Sequence, residues 1–246
     1  MLRDWDDLPR YMKTEAVRPY YDRLKKKRIS LLLKRGFDIV VSALMLVVLS
    51  PVFIIISIMI ATDLKGPVFF RQERITQYGR KFRIHKFRTM VADAESKGSQ
   101  VTVKNDMRVT KVGAKLRKYR LDELPQLIDI LEGNMSYVGT RPEVTKYVKR
   151  YRPEYMATLL LPAGVTSEAS IKYKDEEKLL ENADNVDEVY VEKVLSGKMR
   201  YNLESIKKFS FIREIGTMVR TVFAVIKKDE AVDGVSGEQE MAVTKR

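Results

Sequence analysis

The chain has 246 residues, of which 45% are hydrophobic, enough for a sizeable core and of a length that suits one principal domain with appendages. Forty-six Lys and Arg against 33 Asp and Glu leave a formal charge of +13, which implies an anionic partner: nucleic acid, phospholipid or a phosphorylated substrate. The absence of cysteine excludes a disulfide framework and a thiolate metal centre, and the single histidine, His85, argues against a histidine zinc site or a Ser-His-Asp triad.

Residues 1–33 are polar and basic. Lys25, Lys26, Lys27, Arg28, Lys34 and Arg35 stand just before an apolar run from Phe37 to Ala61, where each would meet anionic headgroups at about 1 kcal/mol. The run is too long and too far from the N-terminus for a cleaved signal, and no small-residue cleavage pattern follows it. At ~1.5 Å per residue an unbroken helix over it would exceed a hydrocarbon layer of ~30 Å. Ser50 and Pro51 interrupt it, and proline removes a helical hydrogen bond one turn back. Two topologies remain: a proline-kinked span, or a re-entrant helix-break-helix. Lys65, Arg71, Arg74, Arg80 and Lys81 follow the run, so a span would strand one basic cluster outside the cytoplasm. Charge therefore favours re-entry, with the Ser50 hydroxyl taking up a carbonyl that the break releases.

Next, DLKGPVFFRQERITQYGRKFRIHKFRTM reads as a β-hairpin turning at Tyr78 and Gly79. A polar loop-like stretch, ADAESKGSQVTVKNDMRVT, follows. Helical patterning resumes in KVGAKLRKYR and in LDELPQLIDILEG, where Leu124, Leu127, Ile128 and Leu131 recur at helical spacing and Gly133 is the stop. Helices are expected over Glu143 to Tyr151 and over the acidic Asp175 to Leu195, separated by a loop at Pro162 and Gly164. In FSFIREIGTMVRTVFAVIKK, the residues Phe211, Ile212, Ile215, Met218, Val219, Val222, Phe223 and Ile226 share a face, which suits either a membrane interface or packing on the domain. Residues 229–246 form a polar tail expected to be disordered.

The stretch RKYRLDELPQL carries the chemistry. Pro125 is tolerated only in the first turn of a helix, so the helix should begin near Asp122, with Asp122 and Glu123 at its positive end. Simple capping by Asp122 is one reading. The other draws on the nearby Arg117 and Arg120 and on GTRPE, Gly139 to Glu143: an ionised Asp beside cations can attack phosphorus while an adjacent Glu holds Mg²⁺, which takes oxygen ligands.

Taken together and in order, LSP within a basic-flanked apolar segment, KFRTM at 86–90, LDELPQL at 121–127 and GTRPE resemble the bacterial sugar transferases, the monotopic polyprenyl-phosphate phosphoglycosyltransferases, over roughly Lys34 to Ile226. The resemblance implies transfer of a phosphosugar from a UDP-sugar to a polyprenyl phosphate such as undecaprenyl phosphate, with release of UMP, to start a bacterial surface glycan. It implies Asp122 as nucleophile, passing through a covalent intermediate. It assigns Mg²⁺ to Glu123 with Asp122, and the re-entrant break to Ser50 and Pro51. Arg141 and Pro142 match the pair that helps hold the nucleotide, and Lys86, Arg88 and Arg117 match basic positions around the phosphates. Where many members carry Pro-Gly-Ile-Thr-Gly-Trp followed by Arg, this chain reads PAGVTSEASIKYK. Lys174 falls near the place of that Arg but lacks its bidentate fork, and the missing Trp with the acidic run that follows points to a different sugar pocket or to a subfamily difference. With no long N-terminal helix bundle, the chain looks like a minimal catalytic form. His85 is assigned no role, because a carboxylate nucleophile needs no base.

The expected fold is α+β and mainly helical. A basic segment (1–33) and a re-entrant membrane helix (34–62) precede a cytoplasmic domain (63–228) with a short β-hairpin and interfacial amphipathic helices, then the tail (229–246). Its expected place is the cytoplasmic face of the bacterial inner membrane, in contact with membrane lipid and open to oligomerisation. A membrane-tethered basic protein that binds nucleic acid or other anionic partners is the alternative. It leaves LDELPQL and GTRPE unexplained, and no stacking-aromatic nucleic-acid motif is present, so nucleic acid is not expected as a partner.

Overall fold

The computed structural model describes residues 2–63, 65–91, 94, 106–174, 176–179 and 185–226. The tail 229–246 and much of the polar stretch after the hairpin therefore lie outside the described residues. The N-terminal segment, polar in overall character, is built into the main core. Two short 3-10 turns lead to α1 (Arg18–Lys25), and Leu8, Met12, Val17, Tyr20, Tyr21 and Leu24 are buried against Leu159, Leu160, Leu203 and Ile206. Sparse apolar residues escape a composition reading, yet these six are buried.

The apolar run forms α2 (Arg28–Val48) and α3 (Ser50–Asp63), bent by 62°. Among the described residues no single helix is long and apolar enough to cross a membrane, whereas this bent pair is by length and composition. The bend has a local cause. Pro51 has no N–H to offer the carbonyl of Val47 one turn back, and the Ser50 hydroxyl donates to that oxygen at 2.8 Å. Helix α2 is apolar on the outside. Lys34, Asp38 and Ser42, spaced four apart, are buried, while Leu33, Val40, Leu44 and Val47 are more than half exposed.

The hairpin pairs β1 (Phe69–Ile75) with β2 (Lys81–Phe87) antiparallel, from Phe69 opposite Phe87 to Ile75 opposite Lys81. Tyr78 and Gly79 both have positive φ, as a tight reversal requires. Phe82 and Ile84 of β2 pack with Leu127 and Ile130 of α5 (Gln126–Glu132), which follows α4 (Lys111–Lys118). Ile56 and Ile60 of α3 meet Phe87 and Leu116, so the apolar hairpin of helices is joined to the domain at the end of β2.

Two strands fall where a loop was expected or no strand was foreseen. β3 (Met135–Val138) and β4 (Ala163–Thr166) pair in parallel, Ser136 opposite Gly164. Strands of four residues carry too little alternation to read, and α6 (Thr145–Val148) is likewise shorter than the helix expected from Glu143 to Tyr151. Beyond β4 come α7 (Glu168–Lys172), α8 (Glu176–Leu179), α9 (Val186–Val189), a π-helical turn at Tyr190–Leu195 that runs into α10 (Ser196–Lys207), and α11 (Phe211–Ile226). The described part is thus α+β and mainly helical, with two two-stranded sheets.

Helix α11 is also inside out. Polar residues contribute to its inward side: Thr217 is buried, its hydroxyl donates to Glu168 at 2.6 Å, and Thr221 meets Thr166 at 2.7 Å. Ile212, Val219, Val222 and Phe223 face outward. Lys34 of α2 reaches this helix, donating to Glu214 at 2.7 Å and to the Val138 carbonyl at 2.7 Å.

Candidate active site

The acidic pair sits on a 3-10 turn, Leu121–Glu123, not on the first turn of the α-helix. Pro125 explains the offset: it cannot donate to Leu121, so Leu124 bonds to Leu121 and Leu127 to Leu124 in short steps before α5 takes hold. Arg120, just before the turn, is held left-handed at φ 56°, a rare state for a residue with a Cβ. Backbone strain immediately ahead of the pair marks the reversal that aims both carboxylates inward.

Glu123 is gripped from two sides. Lys86 Nζ on β2 donates to its Oε1 at 3.1 Å, and the Arg141 guanidinium donates to both oxygens, to Oε2 at 3.4 Å. Burial alone would raise the Glu123 carboxyl, but the Arg141 and Lys86 charges overrule it and hold the group well below the usual range. Asp122 behaves in the opposite sense. It is 8% exposed, its Oδ1 has no hydrogen-bonding partner among the described residues, and burial raises its pKa although Lys86 partly restores it. Burial also pushes the Lys86 ammonium down, whereas Glu123 above all raises the Arg141 guanidinium. One carboxylate is therefore locked and the other left uncommitted. Asp122 caps no helix through its side chain.

Arg141 owes its place to the GTRPE segment, which is fastened at nearly every residue. Gly139 N–H donates to the Thr166 carbonyl at 3.0 Å and Gly164 N–H to the Thr140 carbonyl at 2.9 Å. A Cβ on Gly164 would lie 2.1 Å from the Gly139 nitrogen, so both glycines are needed for this approach. The Pro142 carbonyl accepts from Arg74 at 3.2 Å, and Tyr190 OH donates to the Glu143 carboxylate at 2.7 Å.

The other site residues read from the sequence are distributed more widely. Arg117 donates to the Thr89 hydroxyl at 2.9 Å, and buried Arg88 donates to the Lys65 carbonyl at 3.1 Å against Gly66. Lys174 lines a cavity of about 360 Å³ together with Arg120, Glu123 and Arg141, with Met45 of α2 and Leu49 just after it among its apolar lining; Asp122 and Lys86 do not line it. Ser50 and Pro51 make the α2–α3 bend described above. A larger cavity, of about 490 Å³, lies between α7, α10 and α11 and includes neither acid of the pair.

Four contributors went unassigned in the sequence. His85 receives a role: its backbone N–H and its Nδ1 meet the two carboxylate oxygens of buried Asp129 at 2.8 and 2.9 Å, tying β2 to α5 beside Lys86. Gln126, the first residue of α5, lines the same cavity as Glu123, and no local pattern marked it out. Glu176 and Lys198 join across the cavity wall, with Lys198 Nζ also 5.4 Å from the Tyr190 ring centre. They lie far apart in sequence, and no local pattern joins them.

The sequence over residues 29–228 matches the family described as bacterial sugar transferase. It is 38% identical over 142 residues to the UDP-N-acetylgalactosamine-undecaprenyl-phosphate N-acetylgalactosaminephosphotransferase of Aeromonas hydrophila, covering 56% of this chain and 34% of that protein. It is 36% identical over 200 residues to the UDP-glucose:undecaprenyl-phosphate glucose-1-phosphate transferase of Klebsiella pneumoniae, covering 79% of this chain and 40% of that one. The enzyme of the same description from Escherichia coli (strain K12) is 35% identical over 216 residues, 86% of this chain and 44% of its own length. The chain thus spans between about a third and less than half of these relatives.

Proposed function

We propose that this chain, which belongs to the bacterial sugar transferase family, transfers a phosphosugar from a UDP-sugar to a polyprenyl phosphate. The observation that carries the reading is the asymmetry of the acidic pair: Glu123 fixed by Lys86 and Arg141, Asp122 buried with an oxygen unpartnered among the described residues. An uncommitted carboxylate beside cations is what attack on phosphorus needs.

In the first half-reaction an Asp122 oxygen bonds to the sugar-bearing phosphorus as the bond to the bridging oxygen breaks, and UMP leaves with that electron pair. In the second, a phosphate oxygen of the polyprenyl phosphate bonds to the same phosphorus and the Asp122 carboxylate departs. Lys86 and Arg141 offset the phosphate charge in a site partly screened from water. No proton need be removed from either nucleophile.

The donor set suits Mg²⁺. Among the described residues Asp122 Oδ1 is unpartnered and Glu123 Oε2 has a single long contact to Arg141, while the cation commonly binds through one or two carboxylates plus substrate phosphates. When bound there it would supply neutralisation of the diphosphate charge.

The membrane reading rests on the two inside-out helices. Both α2 and α11 turn polar residues towards the domain and apolar ones outward, which in water would leave an extensive apolar surface exposed. With α2–α3 re-entrant, the acidic pair lies on the cytoplasmic side, where a soluble UDP-sugar meets a lipid phosphate. The deciding experiment is UMP release with undecaprenyl phosphate, Mg²⁺ and a panel of UDP-sugars, for the parent and for Asp122→Asn. Release by the parent with a cognate sugar, and near-complete loss in the variant, is expected. Full activity in Asp122→Asn would remove the nucleophile assignment.

A further inference from the structure

From Lys86 on β2, which lies outside the cavity lining, charges alternate into the cavity wall. Lys86 pairs with Glu123, Glu123 with Arg141, Glu176 adds to the field that raises Arg141, and Glu176 pairs with Lys198. The last two residues come from α8 and α10, downstream of the stretch that departs from the family pattern. Lys198 is buried, with 7% of its side chain exposed, whereas the Glu176 side chain keeps 26%. A buried ion pair is a weak source of stability because both charges are desolvated. This one lines the same cavity as Glu123.

We propose that Glu176 and Lys198 form the recognition wall for the sugar moiety of the nucleotide sugar, Glu176 accepting from neighbouring hydroxyls and Lys198 donating to a hydroxyl oxygen. The proposal rests on the phosphosugar-transfer reading above and assigns one part of that substrate to one part of the site. The chemistry discriminates among the substrate's parts. A diphosphate repels a carboxylate, so it belongs with Lys86 and Arg141. A polyprenyl chain offers neither donor nor acceptor, so it belongs with Met45 and Leu49 on the apolar side. A neutral polyhydroxyl is both donor and acceptor, and a carboxylate beside an ammonium satisfies it in both senses. Gln126 underlies the same cavity with both amide atoms unpartnered among the described residues, a further neutral polar group suited to hydroxyls.

The test compares affinities for the sugar nucleotide that the parent turns over and for UDP alone, by competition in the UMP-release assay and by calorimetry on the full chain in detergent. Glu176→Gln, which preserves shape, should weaken UDP-sugar affinity at least about tenfold while UDP affinity changes less than twofold. Lys198→Met should do the same, and if it fails to fold then Glu176→Gln decides alone. Equal losses for UDP and UDP-sugar would identify a structural ion pair and overturn the proposal, as would no loss for either. A parent that binds neither nucleotide would overturn the phosphosugar-transfer reading and this assignment with it. Retained UDP binding with an unchanged sugar advantage in both variants would overturn this assignment alone.

Discussion

Lys86 Nζ stands 3.1 Å from Glu123 Oε1, joining β2 to the turn that carries the acidic pair. The same ammonium lowers the pKa of Asp122, which burial raises. Removing it in Lys86→Met should move Asp122 further up. In the proposed mechanism Asp122 attacks as the carboxylate, so the acid limb of the UMP-release profile should shift to higher pH in the variant. An unshifted limb would show that another group controls it.

Asp122→Asn should trade activity for stability. The native carboxyl is raised, so its ionised form is penalised in the fold at neutral pH, and the amide carries no such penalty. The melting temperature should rise at pH 7, by roughly 2–4 °C per ~1 kcal/mol relieved. The gain should fade as pH falls through the raised folded value and vanish below the unfolded value of ~3.9, where both states are protonated. A variant melting lower than the parent at pH 7 would contradict the burial argument.

Gly164→Ala tests how Arg141 is held. The added methyl has no room against the Gly139 backbone, so it should cost about 1–3 kcal/mol and push the GTRPE segment away from Glu123. UMP release should fall by more than the loss of folded protein explains, as read from activity per folded fraction by circular dichroism.

The Lys34–Glu214 pair ties α2 to α11 with both side chains largely buried. Lys34→Met leaves a buried carboxylate alone, at a cost of about 3–5 kcal/mol, whereas Lys34→Met with Glu214→Leu should recover most of it. Thermal unfolding in detergent gives the four values of the cycle. Additive losses would mean that the two side chains do not act as a pair.

The outward face of α11 predicts a membrane effect without a folding effect. Phe223→Glu should lower partition onto anionic vesicles by about tenfold or more, with the melting temperature in detergent unchanged, since Phe223 is exposed in the fold. Unchanged vesicle binding would assign this face to something other than lipid.

Much of this protein was legible one residue at a time. Pro51 and Ser50 announced the bend, because a missing N–H and a spare hydroxyl act within one turn. Tyr78 and Gly79 announced the hairpin, and LDELPQL with GTRPE announced the acidic pair and Arg141. These are local effects of backbone chemistry and short-range order, and they need no knowledge of the rest of the chain.

Tertiary structure alone decided which carboxylate is held and which is available, because Lys86, Glu123 and Arg141 meet only after the strands and the 3-10 turn have packed. It placed the polar N-terminal segment in the core, through scattered apolar residues whose direction depends on what they pack against. It also oriented the two amphipathic helices. Periodicity shows that a helix has an apolar face, but only the polar contacts of Lys34, Thr217 and Thr221 with the domain determine that this face points outward.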